Sequence, residues 1–268
     1  TTTWKQSVVV DARPGANGFL AANAVKAAPP TGYDLLLADV GHLAISPSLF
    51  KKLPYDPKAD YVPVSGVYKT SFFIAVGVNS PIKSVRDLMA AASVPGKITY
   101  ASNSIGGPLH LGAAQIEAAT NTKMVHVPYK AEAAVHNDLF GESLDFAWAN
   151  PSTARAQTQA GKMKVLGIAG TRRVSTMPQV PTFTEQGFKG FDLDSWIGVF
   201  GPARLPAPIQ DAWVTALREI TAMPDVSARL SAFGFEPLGN TPAQFVELFK
   251  ADYPRVAELI KAAGVTAE

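Results

Sequence analysis

The sequence predicts an α/β fold built on parallel sheets. Short β-rich runs alternate with helical patterns along most of the 268 residues. Several of these runs are apolar without alternation, which is typical of parallel strands covered on both faces. With 47% hydrophobic and 17% charged residues, the chain has the composition of a compact protein. Its length allows one large domain or two small ones.

The predicted strands share β-branched or aromatic residues bounded by turn residues. They occupy residues 7–10, 33–38, 71–78, 97–102, 124–127, 144–149 and 164–169. Helical patterns lie between them, and Ser84 with Asp87 resembles the capping box that starts a helix. Alternating strands and helices of this kind indicate βαβ units.

After about residue 205 only helical patterns remain. Thr241 and Gln244 have the spacing of a capping box, and Gly234 is placed to end the preceding helix. Pro254 predicts a kink or break in the last helix. That helix has an apolar face formed by Phe245, Val256 and Ile260.

Two long apolar stretches, residues 67–78 and 194–202, are interpreted as crossovers between two lobes. A chain that leaves one lobe and later returns places two such segments side by side as a hinge. The predicted lobes are residues 1–72 with 201–268, and residues 73–200.

Composition excludes several classes of site. The formal net charge is only +2 and the charges are scattered, so nucleic acid is not an expected partner. There is no cysteine, and the four histidines form no His-x-x-x-His pair, so neither a metal nor a cofactor is expected. No apolar stretch approaches the roughly 20 residues that cross a bilayer.

The most informative segment is residues 100–110, where a strand ends, a loop of small polar residues follows and a helix begins. Free backbone N–H groups at a helix start, together with serine hydroxyls, bind carboxylate or phosphate. The alternative is an ordinary turn with a capping serine. The candidate ligand-binding residues here are Ser102, Asn103, Ser104, Gly106, Gly107 and His110.

Other readings of the polar residues are weaker. A nucleophilic serine of an α/β-hydrolase lies in a Gly-x-Ser-x-Gly turn. Ser104 does not lie in such a turn, because position 102 is serine. Residues 13–18 lack the third glycine of a dinucleotide fingerprint, so a tight turn is favoured. His42 and His110 follow predicted strand ends, where α/β proteins bind ligands. Trp196 lies in a hinge segment, from which it could face a cleft.

Six motifs in the same order resemble the Bug, or TctC-like, family of receptors for tripartite tricarboxylate transporters. They are Arg-Pro-Gly-Ala-Asn-Gly at 13–18, Ala-Pro-Pro-Thr-Gly-Tyr-Asp-Leu-Leu at 28–36, Leu-Pro-Tyr-Asp-Pro at 53–57, Val-Pro-Tyr-Lys at 127–130, Met-Pro-Gln-Val-Pro-Thr at 177–182 and Gly-Phe-Glu-Pro at 234–237. The resemblance covers essentially the whole chain.

This resemblance implies a two-lobed periplasmic-binding-protein type II fold. Each lobe would be a Rossmann-like, mostly parallel sheet with helices, and two crossover strands would join the lobes. A small carboxylate (an amino acid, a di- or tricarboxylate or an aromatic carboxylate) would bind between them. The implied ligand-binding residues outside the 102–110 loop are Val40, Gly41, His42, Tyr129, Ala149, Asn150, Ser152 and, less securely, Trp196.

The chain departs from the family pattern in three places, one of which is Gly-Glu-Ser-Leu-Asp at 141–145 in place of Gly-Gly-x-x-Asp. After Tyr129 and Lys130 the family usually has glycine, whereas this chain has Ala131 and Glu132, and Glu132 would repel a second carboxylate. The family's first βα unit, on the order of 30 residues, has no counterpart before residues 7–10. We therefore expect the strand at residues 7–10 to lack a neighbour.

The sequence leaves three candidate functions. A monomeric receptor acting in the periplasm with the membrane components of a tripartite transporter is favoured, with its secretory leader removed. A carboxylate-sensing domain of a regulator shares the physics of a two-lobed cleft. A serine hydrolase using Ser104 is third, and the favoured reading is that the chain is not an enzyme.

Overall fold

The computed structural model describes residues 4–13, 15–102, 107–129, 132–191 and 193–263, and it contains two β-sheets. The strands are β1 Leu36–Asp39, β2 Tyr61–Thr70, β3 Phe72–Gly77, β4 Thr99–Ser102, β5 Val125–Pro128, β6 Phe146–Ala149, β7 Met163–Ala169, β8 Ser195–Pro202 and β9 Glu236–Pro237. The helices are α1 Phe19–Ala27, α2 Ser46–Leu49, α3 Val85–Ala92, α4 Pro108–Thr120, α5 Glu132–Phe140, α6 Pro151–Gln159, α7 Ala207–Ala222, α8 Pro224–Ala232 and α9 Pro242–Ala263. Shorter helical turns occupy Ala16–Gly18 and Gly41–Ile45.

The first sheet has the strand order β1-β8-β2-β9. All three of its strand pairs are antiparallel. The prediction of a mostly parallel sheet is therefore wrong for this sheet. The reason is that β8 lies between β1 and β2 and runs against both neighbours.

The second sheet has the strand order β5-β4-β6-β3-β7. Here β4 is parallel to both β5 and β6, whereas β3 is antiparallel to β6 and β7. The three parallel strands are followed by α4, α5 and α6. Because the carboxyl ends of parallel strands lie at one sheet edge, these three helices begin at the same edge.

Residues 7–10 form no strand, which corrects the prediction. Val8, Val9 and Val10 are 63%, 80% and 85% exposed. β-Branched residues favour extended backbone, but the segment has no ladder partner in the described part of the chain, and a strand is stable only when its backbone groups are paired.

The predicted helix boundaries are confirmed at three positions. Ser84 Oγ accepts from the Asp87 backbone N–H (3.1 Å), and Thr241 Oγ1 accepts from the Gln244 N–H (3.3 Å). Gly234, with a φ of +77°, follows the end of α8. Pro254 lies inside α9, which continues through it.

The chain changes sheet at Ser71, between β2 and β3, and returns before β8. Thr70 pairs with Ser195, so the two predicted crossover segments do lie side by side. The lobe boundaries themselves stay a prediction.

Asp194 connects the segments that pass between the sheets. Its buried carboxylate accepts hydrogen bonds from the hydroxyls of Ser71 and Thr171, and Lys69 Nζ lies 2.6 Å from Oδ2. A Cβ at Gly170 would come within 2.6 Å of this carboxylate, so the close packing requires glycine there.

Separate apolar clusters pack against the two sheets, and helix α4 contributes residues to both clusters. Leu111 of α4, only 2% exposed, is buried in the cluster that contains Phe245 and Val256 of α9. The helix that starts at the edge of the second sheet therefore packs on the first lobe.

Candidate functional site

Three helices begin at the carboxyl edge of β5-β4-β6, and their first turns differ in charge and capping. In α6, Asn150 Oδ1 accepts from the Thr153 backbone N–H (2.9 Å), and in α5 the first turn carries the acidic Glu132. The first turn of α4 has neither an acidic residue nor a side-chain cap. The Leu109 backbone N–H and the helix dipole at this start favour an anion.

A cavity of about 90 Å³ lies beside the start of α4. Its lining combines apolar side chains with three polar ones. The lining residues are Phe72, Ala101, Ser102, Leu109, Glu132, Val135, Trp148 and Asn150. A mostly apolar lining with a few polar groups is typical of small-molecule sites.

Ser102 and Trp148 supply polar atoms to this region from the ends of β4 and β6. Ser102 is buried, and its Oγ lies 2.7 Å from Nε2 of His126 on β5. The indole N–H of Trp148 is buried and has no hydrogen-bond partner among the described residues. A buried donor of this kind costs free energy unless something accepts from it.

Glu132 and Asn150 form a fixed polar pair at the other side of the lining. Asn150 Nδ2 donates to Glu132 Oε1 (3.1 Å), and Thr153 Oγ1 lies 3.5 Å from the same oxygen. Ser152 Oγ in turn donates to Asn150 Oδ1 (2.7 Å). The Glu132 carboxylate is thereby held in position although it is about half exposed.

The first lobe approaches this edge through the turn after β1. A Cβ at Gly41 would lie 3.7 Å from Cδ of Pro108, the first residue of α4. Asp39 Oδ1 lies 2.6 Å from Nδ1 of His42 and also accepts from its backbone N–H (3.1 Å). A Cβ at Gly18 would lie 2.1 Å from His42 Nε2, so only glycine permits the imidazole there.

The Asp39 and His42 side chains hold each other in their charged forms. Burial raises the pKa of Asp39, but the hydrogen bonds and charge of His42 outweigh burial and lower it. Burial lowers the pKa of His42, but the hydrogen bond to Asp39 and its charge outweigh burial and raise it. The pair therefore favours imidazolium and carboxylate.

His110 is placed against the sheet. Its ring stacks on His126 with a centroid distance of 4.3 Å and lies 6.2 Å from the ring of Tyr100. Burial first, and then the neighbouring His126, lower the pKa of His110 to about 4. A neutral imidazole, rather than a cation, is favoured here.

The structure distributes the other predicted site residues as follows. Val40 and Ala149 are only 3% and 1% exposed, so their side chains are buried in the structure. Gly107 caps α4. The Tyr129 hydroxyl donates to Asp138, while its backbone N–H donates to the Ser102 carbonyl (2.9 Å). Three candidates lie outside the described residues: Asn103, Ser104 and Gly106.

The expectation that Trp196 faces a cleft is wrong. Its side chain is 1% exposed and packs against Phe200 and Phe245. Its indole N–H donates to Asp252 Oδ2 on α9 (2.6 Å). A large apolar ring with a satisfied N–H is a core residue.

Several lining residues were not selected from the sequence. Phe72 and Leu109 were read only as part of a strand and a helix, and their position beside Ser102 depends on the sheet order. Asp39 had a local signal, since an acidic residue three positions before His42 can reach its ring.

A larger cavity of about 260 Å³ lies at the hinge. Its cationic residues are all paired: Lys69 with Asp194 (2.6 Å), Arg172 with Glu236, and Arg173 with Glu185 (2.9 Å). An anion entering this cavity would have to displace these carboxylates.

The described residues contain no cluster of three or more histidine and acidic side chains arranged for a metal ion. Among the described helices, none has the length and hydropathy needed to span a bilayer.

Comparison with known proteins places this geometry in a family. Residues 2–265 match the family described as tripartite tricarboxylate transporter family receptor, TctC. A UPF0065 protein of a Pseudomonas species is 30% identical over 257 residues, which cover 95% of this chain and 76% of that protein.

Two solved structures are similar over nearly the whole chain. An R. palustris protein with adipate has a TM-score of 0.91 at 26% identity, covering 99% of this chain and 89% of its own. The periplasmic binding protein BugD has a TM-score of 0.84 at 31% identity, covering 95% and 86%. The two sheets thus form a two-lobed type II binding-protein fold, and the chain belongs to the TctC family of tripartite tricarboxylate transporter receptors.

Proposed function

We propose that this chain is a periplasmic receptor that captures a small organic carboxylate between its lobes. It would deliver the ligand unchanged to the membrane components of a tripartite tricarboxylate-type transporter. The observation that carries this proposal is the cavity at Ser102 beside the first turn of α4, which is lined by Trp148, whose buried indole N–H has no partner among the described residues. The first turn of α4 carries no acidic side chain, whereas α5 begins with Glu132.

The carboxylate would accept hydrogen bonds from the Leu109 backbone N–H of α4 and from the Ser102 hydroxyl. Apolar parts of the ligand would contact Phe72, Leu109 and Trp148. The turn that carries His42 would close over the ligand from the first lobe. The similar R. palustris protein with adipate supports a carboxylate as the ligand class.

A thermal-shift screen with mono-, di- and aromatic carboxylates tests the proposal. A ligand that binds only the folded state at about 100 times its dissociation constant adds roughly 2.7 kcal/mol of stability. We expect at least one carboxylate to raise the melting temperature clearly, whereas the corresponding methyl esters have no effect.

Mass spectrometry of the ligand after incubation separates the alternatives. A receptor returns the ligand unchanged, whereas a hydrolase that uses Ser104 yields product from an ester. A flat thermal response across the whole panel contradicts the receptor proposal.

A further inference from the structure

The motif Gly-Phe-Glu-Pro at 234–237 lies outside the candidate cavity and contacts both lobes. It is attached to the first sheet, because β9 pairs with β2 and Phe235 stacks on Tyr68 with a centroid distance of 4.5 Å. Glu236 forms an ion pair with Arg172, which lies in the segment after β7 of the second sheet. The motif therefore bridges the two sheets.

The closest contact of the motif with the second lobe is between Gly234 and Pro151, the first residue of α6. A Cβ at Gly234 would lie 2.3 Å from Cβ of Pro151 and 3.0 Å from Oγ1 of Thr176. Pro151 is buried and its ring is rigid, so it cannot turn away from an added side chain. The backbone at Gly234 thus lies against the start of α6 at a distance that only glycine permits.

A second glycine of the first lobe contacts a proline at the start of α4. A Cβ at Gly41 would lie 3.7 Å from Cδ of Pro108. Pro108 is followed by Leu109, which lines the candidate cavity. Pro151 is preceded by Asn150, which lines the same cavity. Glycine backbone of the first lobe therefore touches the second lobe next to two residues of the cavity lining.

The two glycines differ in the space that surrounds them. At Gly41 the distance to Pro108 is an ordinary van der Waals separation, so a methyl group would fit against this proline. At Gly234 a methyl group would overlap Pro151, and because protein interiors are close-packed the lobes would have to move apart to admit it. Periplasmic binding proteins close around their ligands by hinge motion of the lobes, so added volume at Gly234 opposes closure.

We propose that Gly234 is a positioning residue for ligand binding, because its missing side chain lets the start of α6 come against the 234–237 segment when the lobes close on a carboxylate. This inference rests on the proposed function, since it requires a ligand that binds between the lobes. Gly234 is not among the residues that line the candidate cavity. An added side chain lowers the population of the closed state, and the apparent affinity falls by the same factor.

Calorimetry on Gly234→Asn tests the inference with adipate, malate, glutamate, benzoate and every other carboxylate that raises the melting temperature in the thermal-shift screen. Gly234 has a φ of +77°, and asparagine tolerates this left-handed backbone better than other side chains do. The variant therefore adds volume with little backbone strain. We expect the affinity for each acid that the wild type binds to fall about tenfold.

The matched control for the backbone is Gly161→Asn. Gly161 has a φ of +67°, and a Cβ there would meet no described atom within 4 Å beyond its chain neighbours. Its affinity for the same acids should equal that of the wild type. The melting temperatures of both variants without ligand report whether they fold.

A change at the second residue of the contact separates closure from a role in folding. Pro151→Gly removes the Cβ and Cγ that a side chain at position 234 would meet. The double variant Gly234→Asn/Pro151→Gly should therefore bind within about twofold of Pro151→Gly alone. Gly234 also follows the end of α8, and a role confined to that turn would lower the melting temperature of Gly234→Asn without changing its affinity.

The outcomes separate this inference from the proposed function. An affinity that is unchanged in Gly234→Asn, that falls equally in Gly161→Asn, or that stays tenfold lower in the double variant than in Pro151→Gly overturns the inference and leaves the receptor proposal standing. A wild type that binds no carboxylate at all contradicts the receptor proposal itself, and the inference falls with it.

Discussion

His42 and His110 show how the immediate surroundings of one residue type give opposite proton affinities. His42 has a carboxylate 2.6 Å from its ring, and its pKa is raised. His110 is buried against another imidazole, and its pKa is lowered to about 4. Each shift makes stability depend on pH, with opposite sign.

The His110 side chain should make the fold sensitive to acid. In the unfolded chain it binds a proton below its ordinary pKa of about 6.5, whereas in the folded chain it stays neutral to about 4. The unfolded state therefore binds more protons between these values, and stability falls as pH falls. We expect His110→Gln to reduce the loss of unfolding free energy between about pH 7 and about pH 4.5.

Urea unfolding at several pH values measures this effect. His42→Gln is the contrasting variant, because the raised pKa of His42 contributes stability that is present at low pH and is lost as pH rises. If the free energy of unfolding falls as much in acid for His110→Gln as for the wild type, the His110 imidazole is not kept neutral in the folded chain.

Residue roles could be predicted where the partner is close in sequence. The capping pair Ser84 and Asp87 is three residues apart and was identified from the sequence. The partner of Trp196, Asp252, is 56 residues away, so the sequence alone could not show that this indole is buried. Glu132 was identified from the sequence as a departure from the family pattern. Its contact with Asn150 could be recognised only once the order of the strands was known.

At the scale of elements, most strands were predicted within a few residues, and the part of the chain after residue 205 was recognised as helical without helix bounds. The strand β2 was recognised only as part of a crossover, because Pro63 and the polar residues beyond it conceal its pattern. Strand direction was the larger error. Periodicity reports which faces are buried, but direction depends on where the chain passes between sheets.

Hydrogen bonds and an ion pair of Asp194 stabilise the segments that pass between the two sheets. We expect Asp194→Asn to lower the free energy of unfolding by about 1.5–3 kcal/mol, the usual range for a hydrogen bond to a charged group. The reason is that Lys69 loses its carboxylate while the Ser71 and Thr171 hydroxyls keep a weaker acceptor.

Urea denaturation with Asp34→Asn as the control measures this cost, because Asp34 is an exposed aspartate in a loop. Similar midpoints for the wild type and Asp194→Asn would mean that the network adds nothing to the junction between the sheets.

At the scale of the molecule, two lobes meet through α4 and through the segments at Ser71 and Asp194. Leu111 on α4 is buried in the apolar cluster of the first lobe, so this helix is part of the contact between the lobes. The formal net charge of +2 is too small to attract anions strongly from a distance. Affinity must therefore come from the site itself.

The most direct test of the account is a calorimetric titration of the strongest carboxylate hit into three proteins. These are the wild type, Ser102→Ala and the control Ser143→Ala, which changes an exposed serine of the same lobe. We predict one site per chain, an affinity about 10- to 150-fold weaker in Ser102→Ala because a hydrogen bond to a charged group is lost, and no change in Ser143→Ala. Equal affinity in all three proteins would contradict a carboxylate site at the start of α4.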